Sequence, residues 1–346
     1  MNKIASFSLV AVSALALSAC GGSGGGDGAR DFARVVGSST VYPFATAVAE
    51  KVAGGEVKAP VIESTGTGGG MKLFCAGVGA SHPDVSNASR RMKASEYETC
   101  AANGVTEVVE IQVGIDGIAF AEAQNGPDMK LTPEDVYKAL AANPFGKPNT
   151  AKNWNDVNPA LPAIPILVYG PPTTSGTRDA LAELILEAGC KTDEATKALK
   201  DSDKDKYEAI CHDVREDGAY VEQGENDNLI VQKIAQNPKA VGVFGFSFLE
   251  ENADKLKGVP MSDVAPTYES ISDFSYPGAR PLYIYVKKAH VGKIKGLQEF
   301  ISEWPNAWGA DGYLKGKGMV VSPEDVRAKN AAIIANMTAL DPAELK

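Results

Sequence analysis

The sequence predicts an α/β protein of two lobes, each an open sheet flanked by helices, with a binding cleft between them. Three observations carry this. Short apolar, strand-like runs alternate with stretches of helical periodicity along most of the chain. The residues beyond position 30 of this 346-residue chain are more than one apolar core usually holds. Three strand-like runs end in Ser/Thr/Gly turns that open straight into helices, and open α/β sheets place ligands at such strand ends.

Residues 32–36 read as the first strand. They run into Gly37-Ser38-Ser39-Thr40-Val41-Tyr42-Pro43, after which Phe44, Val48 and Val52, beside Ala45 and Ala49, form a helical stripe. Residues 57–63 read as the second strand, followed by Ser64-Thr65-Gly66-Thr67-Gly68-Gly69-Gly70 and a helix over 71–76. Residues 85–89 make a short third strand. The stretch 105–121 is β-like throughout, and its Gly114 and Gly117 mark a crossing between lobes. Thr132 caps a helix whose first turn holds Pro133. A strand over 164–169 carries Pro165 at its start or edge. Thr173-Thr174-Ser175-Gly176-Thr177-Arg178 then opens a helix bearing Leu181, Leu184 and Ile185. A helix over 226–236 and a buried strand over 241–246 follow. The return crossing is Tyr276-Pro277-Gly278-Ala279-Arg280-Pro281, leading into a strand over 282–286 and a helix over 296–304 that Pro305 ends. The lobes so implied are 31–115 with 278–346, and 116–277.

Lys3, an apolar stretch over 4–17 and Leu17-Ser18-Ala19-Cys20 have the layout of a signal peptide over 1–19, too short for a membrane span. Leu-Ser-Ala-Cys resembles the bacterial lipobox, so Cys20 is the expected site of acylation and anchors the chain on the outer, periplasmic side of the membrane. Residues 20–30 are a Gly-rich tether with nothing to bury. Cys75, Cys100, Cys190 and Cys211 remain, and an even number in an exported chain favours two disulfides. Closeness in sequence suggests Cys75–Cys100 and Cys190–Cys211, although spacing alone leaves the other pairings open. There is no Cys-x-x-Cys, and His82, His212 and His290 are scattered, so neither a metal nor a cofactor is expected. Lys and Arg number 34 against 44 Asp and Glu, a formal net charge of −10 with no basic cluster, which argues against nucleic acid and anionic lipid as partners. Local donors, not net charge, decide whether an anion binds.

Each of the three turns ends at a helix N-terminus, where unpaired N–H groups and the positive end of the dipole suit an anion. Aimed at one point, they would enclose a tetrahedral oxyanion, with phosphate as the leading expectation. The donors are the hydroxyls of Ser39, Thr40, Thr67, Ser175 and Thr177 and the N–H groups at Gly68 and Gly176. A hydrogen bond to a charged group contributes roughly 1.5–3 kcal/mol. Several together offset the desolvation of a buried anion and leave the roughly 8 kcal/mol of a micromolar complex. Arg90, after the third strand, and Arg178, in the first turn of the third helix, offer guanidinium forks suited to such an anion. Asp227, in Gly224-Glu225-Asn226-Asp227-Asn228, reads as the partner of one arginine or as a helix cap. A phosphate-binding P-loop is excluded, because Lys72 follows Met71 and Leu73 stands where Ser or Thr is needed. No His-Glu-x-x-His helix and no Ser/His/Asp set is visible, so a non-catalytic binder is expected.

On these residues the chain resembles the periplasmic phosphate-binding proteins of ABC phosphate importers. The match runs from Arg34 to about Ser322 and rests on the three turns in combination. Trp154-Asn155-Asp156-Val157-Asn158-Pro159-Ala160-Leu161-Pro162 adds to it, as does the segment around Asp227. The resemblance implies a venus-flytrap fold, phosphate in the cleft, and delivery to the membrane subunits of an ABC permease by a monomer. By position, the family's first-lobe loops correspond to Ser39-Thr40-Val41 and Thr67, and its Ser-Gly-Thr loop to Ser175, Gly176 and Thr177. Two places depart from the better-known members. Arg90 stands where they carry an Asp that accepts the phosphate proton and rejects sulfate, and Pro171 stands where they carry an Arg. The proton rule therefore does not transfer. The competing expectations are another tetrahedral oxyanion (sulfate or molybdate), a secreted phosphatase-like enzyme, or a surface receptor that signals without transport.

Overall fold

The computed structural model describes residues 30–173, 175–224 and 227–345. The expected signal peptide, Cys20 and the tether up to residue 29 lie outside the described residues, as do Thr174, Glu225 and Asn226. Nine strands are described: β1 (Arg34–Gly37), β2 (Val61–Ser64), β3 (Val85–Ala88), β4 (Val108–Ala123), β5 (Val168–Gly170), β6 (Tyr220–Glu222), β7 (Val241–Gly245), β8 (Leu256–Gly258) and β9 (Ala279–Lys287). They join in the order β2-β1-β3-β9-β4-β7-β5-β6, with β8 added on β4. Strands β1, β2 and β3 are parallel, as are β5, β6 and β7, which is the pattern that helical crossovers impose.

The two long strands make the connection between lobes. β4 pairs antiparallel with β9 from Val108↔Lys287 to Gly117↔Ala279, then leaves it and pairs Ile118–Ala121 with β7. One chain passage thus leads out of the first lobe while the other returns beside it. Six helices matter below: α1 (Tyr42–Val52), α2 (Thr67–Phe74), α3 (176–190), α4 (Asp227–Gln236), α5 (Leu297–Ala307) and α6 (Glu324–Asn336). Helix α3 opens with Gly176–Ala180, widens to a π-helical stretch over Leu181–Leu186 and closes with Glu187–Cys190.

The first lobe is a sheet buried on both faces, and the period-2 alternation of β9 shows it. Leu282, Ile284 and Val286 pack with Val35, Ile111, Phe44 and Trp304, on the side covered by α1 and α5. Tyr283 and Tyr285 point the other way, to Met71 and Phe74 of α2. The second lobe gathers Phe120, Tyr137, Trp154, Leu181, Ile230 and Phe244 into a single large cluster. Each such side chain, fully withdrawn from water, contributes about 1.5–3 kcal/mol. Cys75–Cys100 joins the end of α2 to the helix Ala94–Ala102, and Cys190–Cys211 joins the end of α3 to the helix Lys204–His212, the two pairings that closeness suggested.

Several boundaries differ from the sequence reading. β2 begins at Val61, after Pro60, which has no N–H for the ladder. Helix α2 begins at Thr67 and takes Gly68, Gly69 and Gly70 inside it. Pro305 lies within α5 and does not end it, because Trp304, Ala307 and Trp308 are buried and hold the last turn in place. Among the described residues, no helix is long and apolar enough to cross a membrane.

Candidate functional site

The three turns sit at the carboxyl ends of β1, β2 and β5. At the first, Gly37 has φ +126°, and a Cβ there would lie 2.2 Å from the carbonyl oxygen of Asn87, so only glycine lets the chain turn this close to β3. Ser38 N–H then donates to that same carbonyl at 3.0 Å. Ser39 is left half-buried and Thr40 and Val41 are buried, and α1 starts at Tyr42 with Pro43 in its first turn. At the second turn, Thr67 Oγ1 accepts the Ser89 N–H at 3.1 Å and lies 3.0 Å from Ser89 Oγ, linking α2 to the end of β3. Gly68 faces open space beside it. At the third, Ser175 caps α3, its Oγ accepting the Thr177 N–H at 3.2 Å.

The structure brings the first and third turns into direct contact. A Cβ on Gly176 would lie 2.6 Å from Thr40 Cα, and Thr40 Oγ1 is 3.4 Å from the Gly176 carbonyl oxygen. Ser39 Oγ donates to Asp179 Oδ2, one turn into α3. These contacts join residues about 136–140 positions apart in the chain and cross from one lobe to the other. The second turn is tied to Ser89, and its described hydrogen bonds do not reach the third.

The candidate charges fall in different settings. Arg178 lies over the ring of Tyr220, 4.9 Å from its centre, and its Nε is buried with no hydrogen-bond partner among the described residues. Tyr220 donates its hydroxyl to Pro171 O at 2.7 Å, and burial raises its pKa. A cavity of about 680 Å³ opens beside Arg178 on the second lobe, with Asp179, Glu183, His212 and Arg215 in its walls. Arg90 forks onto both oxygens of Glu96 at 2.8 and 2.9 Å, which raises its pKa and engages both terminal nitrogens. Asp227 is buried at the start of α4, and its Oδ2 accepts the Gly245 N–H at 3.1 Å.

One charged group at the turns escaped the sequence reading. Arg280, 5% exposed in the returning strand β9, donates from Nε to Asp116 Oδ2 at 3.1 Å. Its terminal nitrogens donate to Glu183 of α3 and, at 2.8 Å, to Thr40 Oγ1. Asp116 faces it directly across the β4/β9 ladder. Burial raises the Asp116 pKa, and Arg280 opposes that rise. A signal was present: Asp116 is the one charge between Gly114 and Gly117, and Arg280 is the one charge in the return crossing, of opposite sign. Of the histidines, His290 is clamped between Asp84 (2.6 Å) and the Gly79 N–H (2.9 Å), and His212 lies 3.1 Å from Glu187.

The hydroxyls of Ser39 and Thr40, the first turn of α3 and the guanidinium of Arg280 thus meet between the lobes. The PBP superfamily domain model matches residues 22–304. The chain is 33% identical over 311 residues to the phosphate-binding protein PstS of Staphylococcus saprophyticus, covering 87% of this chain and 85% of that protein. It is 32% identical to the protein SphX of Synechococcus elongatus over 74% of this chain and 69% of that one. The crystal structure of a possible phosphate binding protein from Planctomyces limnophilus superposes with a TM-score of 0.72 at 29% identity, over 89% of this chain and 99% of that one. PstS from Borrelia burgdorferi, at 18% identity and a TM-score of 0.56 over 85% of this chain and all of that one, shares the fold. The chain belongs to the PstS family of phosphate-binding proteins, within the PBP superfamily.

Proposed function

We propose that the chain binds inorganic phosphate between its lobes and hands it to the membrane subunits of an ABC importer, without turning it over. The observation that carries this is the interlobe contact of Thr40 with Gly176, where the turn leading into α1 meets the first turn of α3. Ser39, Thr40 and Val41, Thr67 and Gly68, and Ser175, Gly176, Thr177 and Arg178 hold the anion. Arg90 completes the second turn from its salt bridge with Glu96, and Asp227 supports the second-lobe wall. The lobes are 31–115 with 278–346, and 116–277. Cys20 carries a lipid that keeps this monomeric receptor on the outer side of the membrane.

Titration calorimetry of the purified chain with phosphate, sulfate, arsenate and molybdate tests the ligand. Phosphate heats saturating at one per chain are expected, and binding of sulfate or molybdate alone would overturn the choice of ligand. Arg178→Ala should weaken phosphate by more than about 2 kcal/mol, through loss of a charge-assisted donor at a half-buried position. An unchanged affinity removes Arg178 from the site. Steady turnover of a chromogenic phosphoester by the pure protein would instead support the enzyme.

A further inference from the structure

We propose that Arg280 is a positioning residue that acts on the bound anion through the hydroxyl of Thr40, an inference that rests on reading the cleft as an oxyanion site. Arg280 is 5% exposed, and its described hydrogen bonds all go to protein side chains. Its guanidinium is a rigid fork with three partners on three elements: Asp116 on β4, Glu183 on α3 and Thr40 in the first turn. Asp116 and Glu183 already give the guanidinium two carboxylate partners. The bond to Thr40 is additional, and it lands on a hydroxyl of the anion-binding turn.

That bond decides where the hydroxyl proton points. A threonine hydroxyl has one proton and two lone pairs. With one lone pair taken by the guanidinium at 2.8 Å, the proton turns away from Arg280, toward the third turn. The acceptor found there is the Gly176 carbonyl at 3.4 Å, far longer than the roughly 2.7–2.8 Å of a good O–H···O bond. The Thr40 proton is therefore aimed into the interlobe contact and weakly held. A hydroxyl that accepts from a cation is also a stronger donor, since hydrogen bonds in series polarise one another. Arg280 thereby delivers part of its charge to the anion one bond removed, and Glu183 opposes it.

The full chain tests this by calorimetric titration with inorganic phosphate of the wild type, Arg280→Lys, Thr40→Val and the double variant. Lysine keeps the charge but loses the fork. Arg280→Lys and Thr40→Val should each weaken binding by about tenfold or more, the scale of one charge-assisted hydrogen bond. The double variant should match Thr40→Val within about twofold, because the route to the anion is already cut. Losses that multiply would show that Arg280 acts independently of Thr40 and would overturn the proposal. Should Arg280→Lys fail to melt like the wild type by circular dichroism, Glu183→Gln decides. Its side chain is 48% exposed, and losing its charge should tighten phosphate binding several-fold, a gain that shrinks as salt rises. Unchanged or weaker binding by Glu183→Gln would reduce Arg280 to a clamp between lobes. A wild-type chain that gives no heat with phosphate sinks the oxyanion reading itself, a distinct result.

Discussion

At Gly176 a single methyl group governs whether the two lobes meet. A Cβ built there falls 2.6 Å from Thr40 Cα and 3.0 Å from Thr40 N, and both are backbone atoms that cannot swing aside. Gly176→Ala should leave each lobe's core intact, since none of the three apolar clusters includes this residue. It should nevertheless weaken phosphate binding by roughly 2 kcal/mol, within the usual cost of overpacking, by holding the lobes apart. Calorimetry against a circular-dichroism melt separates the two effects; a full loss of stability with unaltered affinity would contradict this account. The glycine was legible in the sequence because a Ser-Gly-Thr run at a helix start is a local signal. The partners of Thr40 were not. Asp116, Glu183 and Arg280 come from three distant parts of the chain, and the register of β4 against β9 is what brings Asp116 opposite Arg280.

At the scale of elements, local rules located seven of the nine described strands but fewer than half of the described helices, and misplaced several ends; Ala94–Ala102, Glu194–Ser202, Lys204–His212 and α6 went unread. The ends of the strands that bear the turns, β1, β2 and β5, were read within one residue. Helix α2 was read as starting after its glycines, because glycine is a poor helix former. Burial of Met71 and Phe74 against the first-lobe sheet supplies what propensity lacks. The π-helical stretch in α3 has no counterpart in a sequence pattern read at 3.6 residues per turn. It lies between the N-terminal turn of α3 and Cys190, whose disulfide to Cys211 pins the far end of the helix. Replacing both Cys190 and Cys211 by serine opens a loop of 21 residues and should cost about 3 kcal/mol of stability. The shift of the urea midpoint at constant slope measures it. Phosphate affinity should change far less than stability, because the capped first turn of α3 is held by Ser175 and by the first lobe. An affinity loss as large as the stability loss would mean that the disulfide orients the site.

Across the whole molecule, the fold class was legible because alternation of strand and helix is a repeated signal, and the pairing of the two crossing passages was not. That pairing has a thermodynamic consequence. β4 and β9 run side by side through the region between lobes and share a ladder down to Gly117↔Ala279, broken by one bulge between Gln112 and Gly114, so the lobes are joined by backbone hydrogen bonds and not by a loose linker. A ligand gripped by turns from both lobes then stabilises both at once. At a phosphate concentration one hundred times the dissociation constant, the native state gains about 2.7 kcal/mol. For a chain of this size that is a rise in melting temperature of about 5 °C. One calorimetric transition should move as a unit, and sulfate should move it less. In Gly176→Ala the same phosphate concentration should give a much smaller rise, because one lobe's donors no longer reach the anion held by the other. Two separate transitions, with phosphate shifting only one, would place the binding site inside a single lobe and remove the cleft from the mechanism.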